Sequence, residues 1–199
     1  KQKLKEVTDT IKVMSEGTCD KRRGALEVTR AISLSPFAGD ITFNAKSGTK
    51  SNTSLYGAEV HATRYQYGLA LTPSSLRDHS RVINLIDAVM SLREVGGNHS
   101  RFLFDFSPSS VVFRWTDDFA PRLLYGFEMN DSGTVSMPEI LKRVANGDLS
   151  PEELYIGGEV ADNLDSASRD KLKGAFIDSG IKAVAQKLTA RIKGDLALV

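Results

Sequence analysis

The residues best suited to chemistry form a short run of glycines and hydrogen-bond donors, Gly96, Gly97, Asn98, His99, Ser100 and Arg101. Two adjacent glycines carry no Cβ, so another backbone can approach them closely. The next four residues offer amide, imidazole and hydroxyl groups and a fixed guanidinium charge, a combination that suits a phosphate chain. The run also follows a periodic helical segment, where Gly96 is expected to cap the helix before a polar loop. The two interpretations are compatible, because one glycine can cap while the next leaves room for a ligand.

Further cations concentrate in the first third of the chain. Residues 1–64 hold 11 Lys and Arg against 7 Asp and Glu, whereas residues 65–199 hold 15 against 18. This imbalance predicts a local basic surface for a polyanion, although a solvated charged face is the simpler alternative. The candidate contacts outside the glycine run are Arg22, Arg23, Arg30, Lys46, Lys50, His61 and Arg64.

Signatures of enzymes are missing from the sequence. It contains no Walker A motif, no dinucleotide-binding glycine motif after a strand, no His-Glu-x-x-His and no nucleophile elbow. His61, His79 and His99 are dispersed, so no metal site is predicted, and acid–base cleavage of RNA by His61 and His99 lacks a specified partner. The pair Asp117-Asp118 is explained by a turn before Pro121. We therefore predict no catalytic residue, no metal and no cofactor.

The composition is that of a globular chain, with 41% hydrophobic and 26% charged residues. The single cysteine, Cys19, cannot form an internal disulfide, which fits a reducing cytoplasm. No apolar run approaches the ~18 residues of a membrane span, and the charged start has no apolar signal-peptide core. These features predict a cytoplasmic protein without a membrane partner.

Hydrophobic periodicity predicts alternating helices and strands. A capping box of Ser75 and Asp78 is expected to open the strongest helix. Tyr65 and Tyr67 are expected either to face the core or to stack on bases. The predicted elements are a helix over 1–16, an extended segment over 24–34, a polar loop or irregular hairpin over 38–58, a strand over 59–71, a helix over 75–94, a meander of strands at 102–106, 111–116 and 122–127, and helices from 136 onward, including 165–175 and 177–193.

This order of elements predicts an α+β fold in which helices cover an antiparallel sheet. It is compatible with the second half of an RRM-like or ferredoxin-like fold. We divide the chain into an N-terminal helical segment over residues 1–21, a core over 22–135 with a finger-type insertion at about 38–58, and a helical C-terminal region over 136–199.

Four blocks of the sequence resemble the DevR-like backbone subunit of type I CRISPR Cascade complexes, in the RAMP superfamily. The most distinctive reads Glu59-Val60-His61-Ala62-Thr63-Arg64-Tyr65-Gln66-Tyr67. The others cover residues 30–40, 96–108 and 120–127. The blocks keep their order, and the resemblance spans roughly residues 22–128.

The resemblance implies an RRM-like core with inserted finger and thumb elements. It implies a non-catalytic subunit whose copies form a helical filament along the CRISPR RNA beside other Cascade subunits, while guide pairing reads the target DNA for antiviral defence. The site residues above would then hold RNA backbone. Related type III spine subunits cleave RNA, so a metal-dependent ribonuclease is the alternative, and a protein scaffold that touches no RNA is a third possibility.

The glycine run leads to the first testable prediction. Replacing Gly97 by Val should weaken binding of guide RNA without unfolding the domain, because a β-branched side chain would occupy the space that a phosphate needs. Binding titrations and a thermal melt measure the two effects. RNA binding equal to wild type would refute the phosphate loop, and an unfolded variant would leave the helix cap as the sufficient explanation.

Overall fold

The computed structural model describes residues 2–15, 23–45, 55–92 and 105–198. Lys46, Lys50 and the whole run from Gly96 to Arg101 lie outside these ranges. The helices are α1 Gln2–Ser15, α2 Arg81–Met90, α3 Pro138–Ala145, α4 Glu159–Asp162, α5 Ser166–Lys171 and α6 Ile181–Asp195. The strands are β1 Leu26–Val28, β2 Ile32–Ser33, β3 Asp40–Ala45, β4 Leu55–Val60, β5 Tyr65–Gln66, β6 Leu69–Leu71, β7 Ser110–Arg114, β8 Glu128–Met129, β9 Val135–Ser136, β10 Leu154–Gly158 and β11 Phe176–Asp178.

A three-stranded mixed sheet forms the centre of the fold, in the order β11-β10-β7. Strand β10 runs parallel to β11 and antiparallel to β7. All five residues of β10 are buried. A strand that is covered on both faces needs a continuous apolar run rather than alternation, and Leu154-Tyr155-Ile156-Gly157 supplies one.

Successive side chains of the sheet belong to two separate hydrophobic clusters, one on each face. Tyr155 and Val111 pack with residues of α2 and α6, among them Val82, Ile86 and Leu188. Leu154 and Ile156 pack with residues of α3, α4 and the segment after α5, including Ile140, Val160 and Leu172. The strand period of two therefore divides β10 between the two helical layers.

The other long feature is a two-stranded antiparallel ribbon, which we define as residues 26–45 and 55–71. It is built from the pairs β1–β6, β2–β5 and β3–β4. The register shifts by one residue between Val28↔Leu69 and Ile32↔Gln66, and by two more before Asp40↔Val60. Such extra residues break the ladder and increase its twist. The ribbon is thus a succession of short ladders rather than one uniform hairpin.

Several predicted elements are confirmed. The structure contains α1, and it forms α2 and α3 within the predicted helical segments. Strand β7, Ser110–Arg114, overlaps the strand predicted at 111–116. The polar segment at 38–58 contains a hairpin of β3 with β4. Mixed helix and sheet agree with the predicted α+β class.

The predicted strand over residues 59–71 is wrong as a single element. Residues 61–64 and 67–68 belong to no strand, so β4, β5 and β6 are separate. On the opposite side of the ribbon, residues 34–39 contain Pro36, which has no amide hydrogen to donate to a ladder. The register changes at this point. The interruption therefore originates in the partner strand, which the alternating pattern of residues 59–71 does not reveal.

The predicted meander is also wrong in its described part. Residues 122–125 form a turn rather than a strand, and Tyr125 has a φ of 52°. Strand β7 pairs with the distant β10 instead of a neighbouring hairpin partner. Gly126 packs against Ile140 so closely that an added Cβ would lie 2.7 Å from its side chain. The strand predicted at 102–106 lies mostly outside the described residues.

The C-terminal region, predicted to be helical, is helical only in part. Residues after 136 supply β10 and β11, two strands of the central sheet, in addition to four helices. The sheet is therefore mixed rather than antiparallel. The helix boundaries shift accordingly, and α2 begins at Arg81, preceded by a 3-10 turn over Pro73–Ser75. The Asp78 carboxylate accepts from the Ser80 amide instead of completing a capping box with Ser75.

The helices that the structure describes include none with the length and apolar character needed to cross a bilayer. Helix α1 exposes its apolar stripe, with Leu4 76% exposed.

Gly158 provides the second testable prediction. It ends β10 at φ 83° and ψ −156°, a region that is almost restricted to glycine, and an added Cβ would lie 2.1 Å from the Ser109 carbonyl oxygen. Gly158→Ala should lower the free energy of unfolding by about 3 kcal/mol or more. Gly147→Ala is the matched control, because Gly147 has a similar φ of 79° but open space around it. It should lose only about 1–2 kcal/mol. Equal losses in chemical denaturation would contradict the steric argument.

Candidate nucleic-acid interface

Four of the predicted contact residues lie in the described part of the chain: Arg23, Arg30, His61 and Arg64. All four belong to the ribbon or to the residues directly before it. The structure therefore places the described candidates along one extended element. Arg22, Lys46, Lys50, Gly96, Gly97, Asn98, His99, Ser100 and Arg101 lie outside the described residues and remain predictions.

Arg30 presents an exposed side chain beside β1. Its carbonyl oxygen accepts from the Tyr125 hydroxyl at 3.2 Å, which attaches the backbone at this position to the core. Within the described residues, no acidic side chain pairs with its guanidinium. Arg23, in contrast, pairs with Glu27 at 2.6 Å on the surface. A cation without an acidic partner is the better candidate for a phosphate, because no existing ion pair has to be broken.

Arg64 is engaged on the core. Its Nη1 atom lies 2.6 Å from Oε2 of Glu159, the first residue of α4. Its carbonyl oxygen accepts from the Leu34 amide at 2.8 Å. The side chain is still about half exposed, so a ligand can reach the remaining guanidinium donors.

His61 lies at the interruption of the ribbon, immediately after β4. Both of its ring nitrogens are buried and lack a hydrogen-bond partner among the described residues. Its ring contacts Phe37 with centroids 4.9 Å apart. A hydrogen bond of 2.6 Å between the Ser35 and Thr63 hydroxyls joins the two sides of the ribbon close to His61. Because both nitrogens are buried, a phosphate or a base edge can reach this imidazole only if its surroundings rearrange.

The side-chain amide of Gln66 fixes the ribbon to the core by bonding both backbone groups of Phe127, as a neighbouring strand would. Its Nε2 donates to the Phe127 carbonyl oxygen at 3.0 Å, and its Oε1 accepts from the Phe127 amide at 3.1 Å. The Gly68 position packs against Leu124 nearby, where an added Cβ would lie 3.0 Å from that side chain. Phe127, at the end of the strand predicted at 122–127, thus holds the ribbon through its backbone.

Tyr65 and Tyr67 were expected either to face the core or to stack on bases, and both side chains are exposed. Tyr65 is 54% and Phe43 80% exposed. The described strands of the ribbon pair with each other in two-stranded sheets, so alternation does not imply burial here. Partial burial raises the pKa of Tyr67. Exposed rings between cations are the arrangement on which bases can stack.

The carboxylates predicted to form a turn at Asp117-Asp118 do so. Asp118 accepts from Arg122 at 2.8 Å, from the Ala120 amide at 2.9 Å and from Arg114 at 3.0 Å. These bonds hold the pKa of Asp118 well below its usual range, with the Arg122 contact as the largest cause. Asp118 is therefore ionised and occupied with organising the turn.

Metal ligands do not converge in the described part of the chain, where no group of three His, Cys, Asp or Glu residues could hold an ion. A cleft of about 260 Å³ lies beside the interruption of the ribbon. It is lined by Leu34, Ser35, Pro36, Met129, Asn130, Asp131 and Gly133. A carboxylate and apolar groups in the lining make this cleft a poor match for a phosphate.

Sequence reasoning missed the residues that position the candidate contacts. Glu159 is 95 positions from Arg64, and Phe127 is 61 positions from Gln66. Neither pair belongs to a local motif, and no spacing rule connects them. Gln66 lies in a sequence block that we identified, but nothing in the block marks its amide as a contact to the core.

The chain is similar in sequence to a curated protein. The chain is 45% identical, over 187 residues, to the CRISPR-associated protein Cas7/Cst2/DevR of Myxococcus xanthus (strain DK1622). The alignment covers 89% of this chain and 62% of the relative, so the chain spans less than two thirds of that protein's length. No protein-family model matches the chain.

The Gln66 contact provides the third testable prediction. Gln66→Ala removes two hydrogen bonds and leaves the Phe127 backbone without them, so the free energy of unfolding should fall by about 1–3 kcal/mol. Hydrogen exchange at the β5 amides should accelerate more than exchange in β10. Gln186→Ala, on the exposed surface of α6, is the control and should stay within about 0.5 kcal/mol of wild type. Unchanged exchange in β5 would show that other contacts hold the ribbon.

Proposed function

We propose that the chain belongs to the DevR-like Cas7 family of CRISPR-associated proteins and that it is a non-catalytic, CRISPR RNA-binding backbone subunit. In this proposal, copies multimerise along the guide in a type I Cascade complex, in the cytoplasm and together with other Cascade subunits. The complex recognises target DNA in antiviral defence. The observation that carries the proposal is the 45% identity to Cas7/Cst2/DevR over 89% of the chain.

The ribbon supports a role in holding RNA backbone. Arg30 and the aromatic rings of Phe43 and Tyr65 are exposed along this one extended element, and Arg64 is half exposed. Guanidinium groups suit phosphate oxygens, and exposed rings suit bases of any identity. Such contacts position a strand but carry no sequence information, which agrees with a subunit that leaves recognition to base pairing.

We further propose that the central sheet belongs to an RRM-like or ferredoxin-like core. Strands β10 and β11 are parallel and joined through helices, and β7 lies antiparallel on the other side. A βαβ unit with an antiparallel neighbour is a component of such a core. The ribbon would then be the inserted element that extends from the core toward the RNA.

Two alternatives lead to different measurements. A metal-dependent ribonuclease of the related type III spine class would shorten a bound RNA when divalent cations are added. A scaffold that touches no RNA would purify without nucleic acid and show no salt-sensitive binding. Copurification of RNA of one defined length with the full complex, uncut by added Mg²⁺, is the result that the proposal requires.

Arg30 gives the fourth testable prediction. Arg30→Ala should weaken binding of two guides of equal length and unrelated spacers by the same factor, because a phosphate contact reads no sequence. The log–log salt dependence should become shallower by about one unit. Lys142→Ala, which removes an exposed cation that pairs with Glu139 on α3, is the control for net charge. An effect on only one guide would reveal base readout and refute the backbone-grip mechanism.

A further inference from the structure

Glu159 occupies an unusually well-defined position for a surface carboxylate. It follows Gly158, whose conformation leaves no room for a side chain against Ser109. Its amide donates to the Ser109 carbonyl oxygen at 2.9 Å, and the next amide, of Val160, donates to the Ser110 hydroxyl at 3.1 Å. Val160 and Ala161 are each 1% exposed. The buried end of β10 and the start of α4 therefore fix the backbone that carries this carboxylate.

Arg64 lies in a less constrained segment. It is the last residue of the stretch 61–64, which belongs to no strand, and its side chain is 48% exposed. One guanidinium nitrogen contacts Glu159 at 2.6 Å, and the carboxylate side chain is itself 30% exposed. A half-exposed pair of this kind is held weakly, because water competes for both groups and ordering the long arginine side chain costs entropy.

A carboxylate and a phosphate are alternative partners for the same guanidinium group, since both present oxygen acceptors to its fork of donors. In the free protein, Glu159 neutralises the charge of Arg64. A phosphate that reaches Arg64 has to displace the carboxylate or approach a guanidinium whose charge is already compensated. Either event lowers the affinity relative to an Arg64 without an acidic partner.

We propose that Glu159 is a positioning residue that competes with RNA phosphate for Arg64 and thereby lowers the affinity of the ribbon for RNA. The inference rests on the proposed RNA-binding function and adds a regulatory contact to it. When no RNA is bound, Glu159 holds Arg64 against the core through the ion pair. When RNA binds, a guide phosphate replaces the carboxylate as the partner of Arg64. The ribbon remains attached meanwhile through Gln66 and Tyr125, whose contacts with Phe127 and Arg30 do not involve Arg64.

A double-mutant cycle on the full-length protein tests the exchange. Glu159→Gln removes the carboxylate charge and should tighten binding of a single-stranded guide RNA about two- to fivefold in about 0.1 M salt, the range expected for losing a competing surface ion pair. Arg64→Ala should weaken binding. The double variant should bind like Arg64→Ala alone, because the glutamate has nothing to release once the arginine is gone.

Glu139→Gln is the matched control, because Glu139 also pairs with a surface cation, Lys142, but lies on α3. It should leave the affinity within experimental error of wild type. Equal tightening in this control, or tightening by Glu159→Gln that persists without Arg64, would show a general effect of net charge and overturn the inference. Unchanged or weaker binding by Glu159→Gln would also overturn it.

The thermal stability of each variant and RNA binding by the wild type distinguish the remaining outcomes. A thermal melt establishes that each variant is folded, and Glu159→Asp, which shortens the side chain but keeps its charge, replaces Glu159→Gln if that variant unfolds. The shorter carboxylate holds Arg64 less closely, so it should tighten binding to a smaller extent, and weaker binding would overturn the exchange. A wild-type protein that binds no RNA would refute the proposed function itself, whereas RNA binding without coupling between Glu159 and Arg64 refutes only the exchange.

Discussion

The burial of β10 on both faces is the constraint on which the rest of the structure depends. Tyr155 points into the cluster below α2 and α6, while Leu154 and Ile156 point into the cluster of α3 and α4. Gly157 continues this arrangement, because an added Cβ would lie 2.7 Å from Val184. The strand cannot move without disturbing both layers. The residues that directly follow β10, above all Glu159, are therefore held in place as well.

The ribbon stands in a different physical situation. An isolated two-stranded ribbon is marginally stable in water, so it needs contacts with the core to hold one conformation. Among those contacts are three polar ones, Gln66 on Phe127, Arg64 on Glu159 and Tyr125 on Arg30, and Leu71 packs against the cluster of α2 and α6. Polar contacts fix direction and register without burying the faces of the ribbon. Its rings and cations therefore stay accessible, which a packed β-layer would not allow.

Much of the helical structure could be predicted from the sequence, and the strand partners could not. The stripes of α2 and α3 have a strong local signature, since side chains three and four positions apart share a face. Strand β10 lacks one, because a short apolar run that is buried on both faces reads equally well as a strand or as part of a helix. Residues 122–127 have the composition of a strand, yet the Asp118–Arg122 contact and the left-handed Tyr125 turn the chain. The first error arises from long-range packing that no window of sequence contains, and the second from a local turn that the strand-like composition of residues 122–127 does not reveal.

The charges of the candidate site likewise have partners that the sequence does not reveal. Residue type correctly identifies Arg23, Arg30 and Arg64 as cations of the first third, but it assigns them equal weight. The structure separates them, since Arg23 pairs with Glu27 and Arg64 with Glu159, while Arg30 has no acidic partner among the described residues. Part of the positive balance of residues 1–64 is thus compensated by a carboxylate from beyond that segment. How strongly a basic surface binds a polyanion depends on which of its cations must first leave an internal partner, and that property belongs to the fold rather than to the composition.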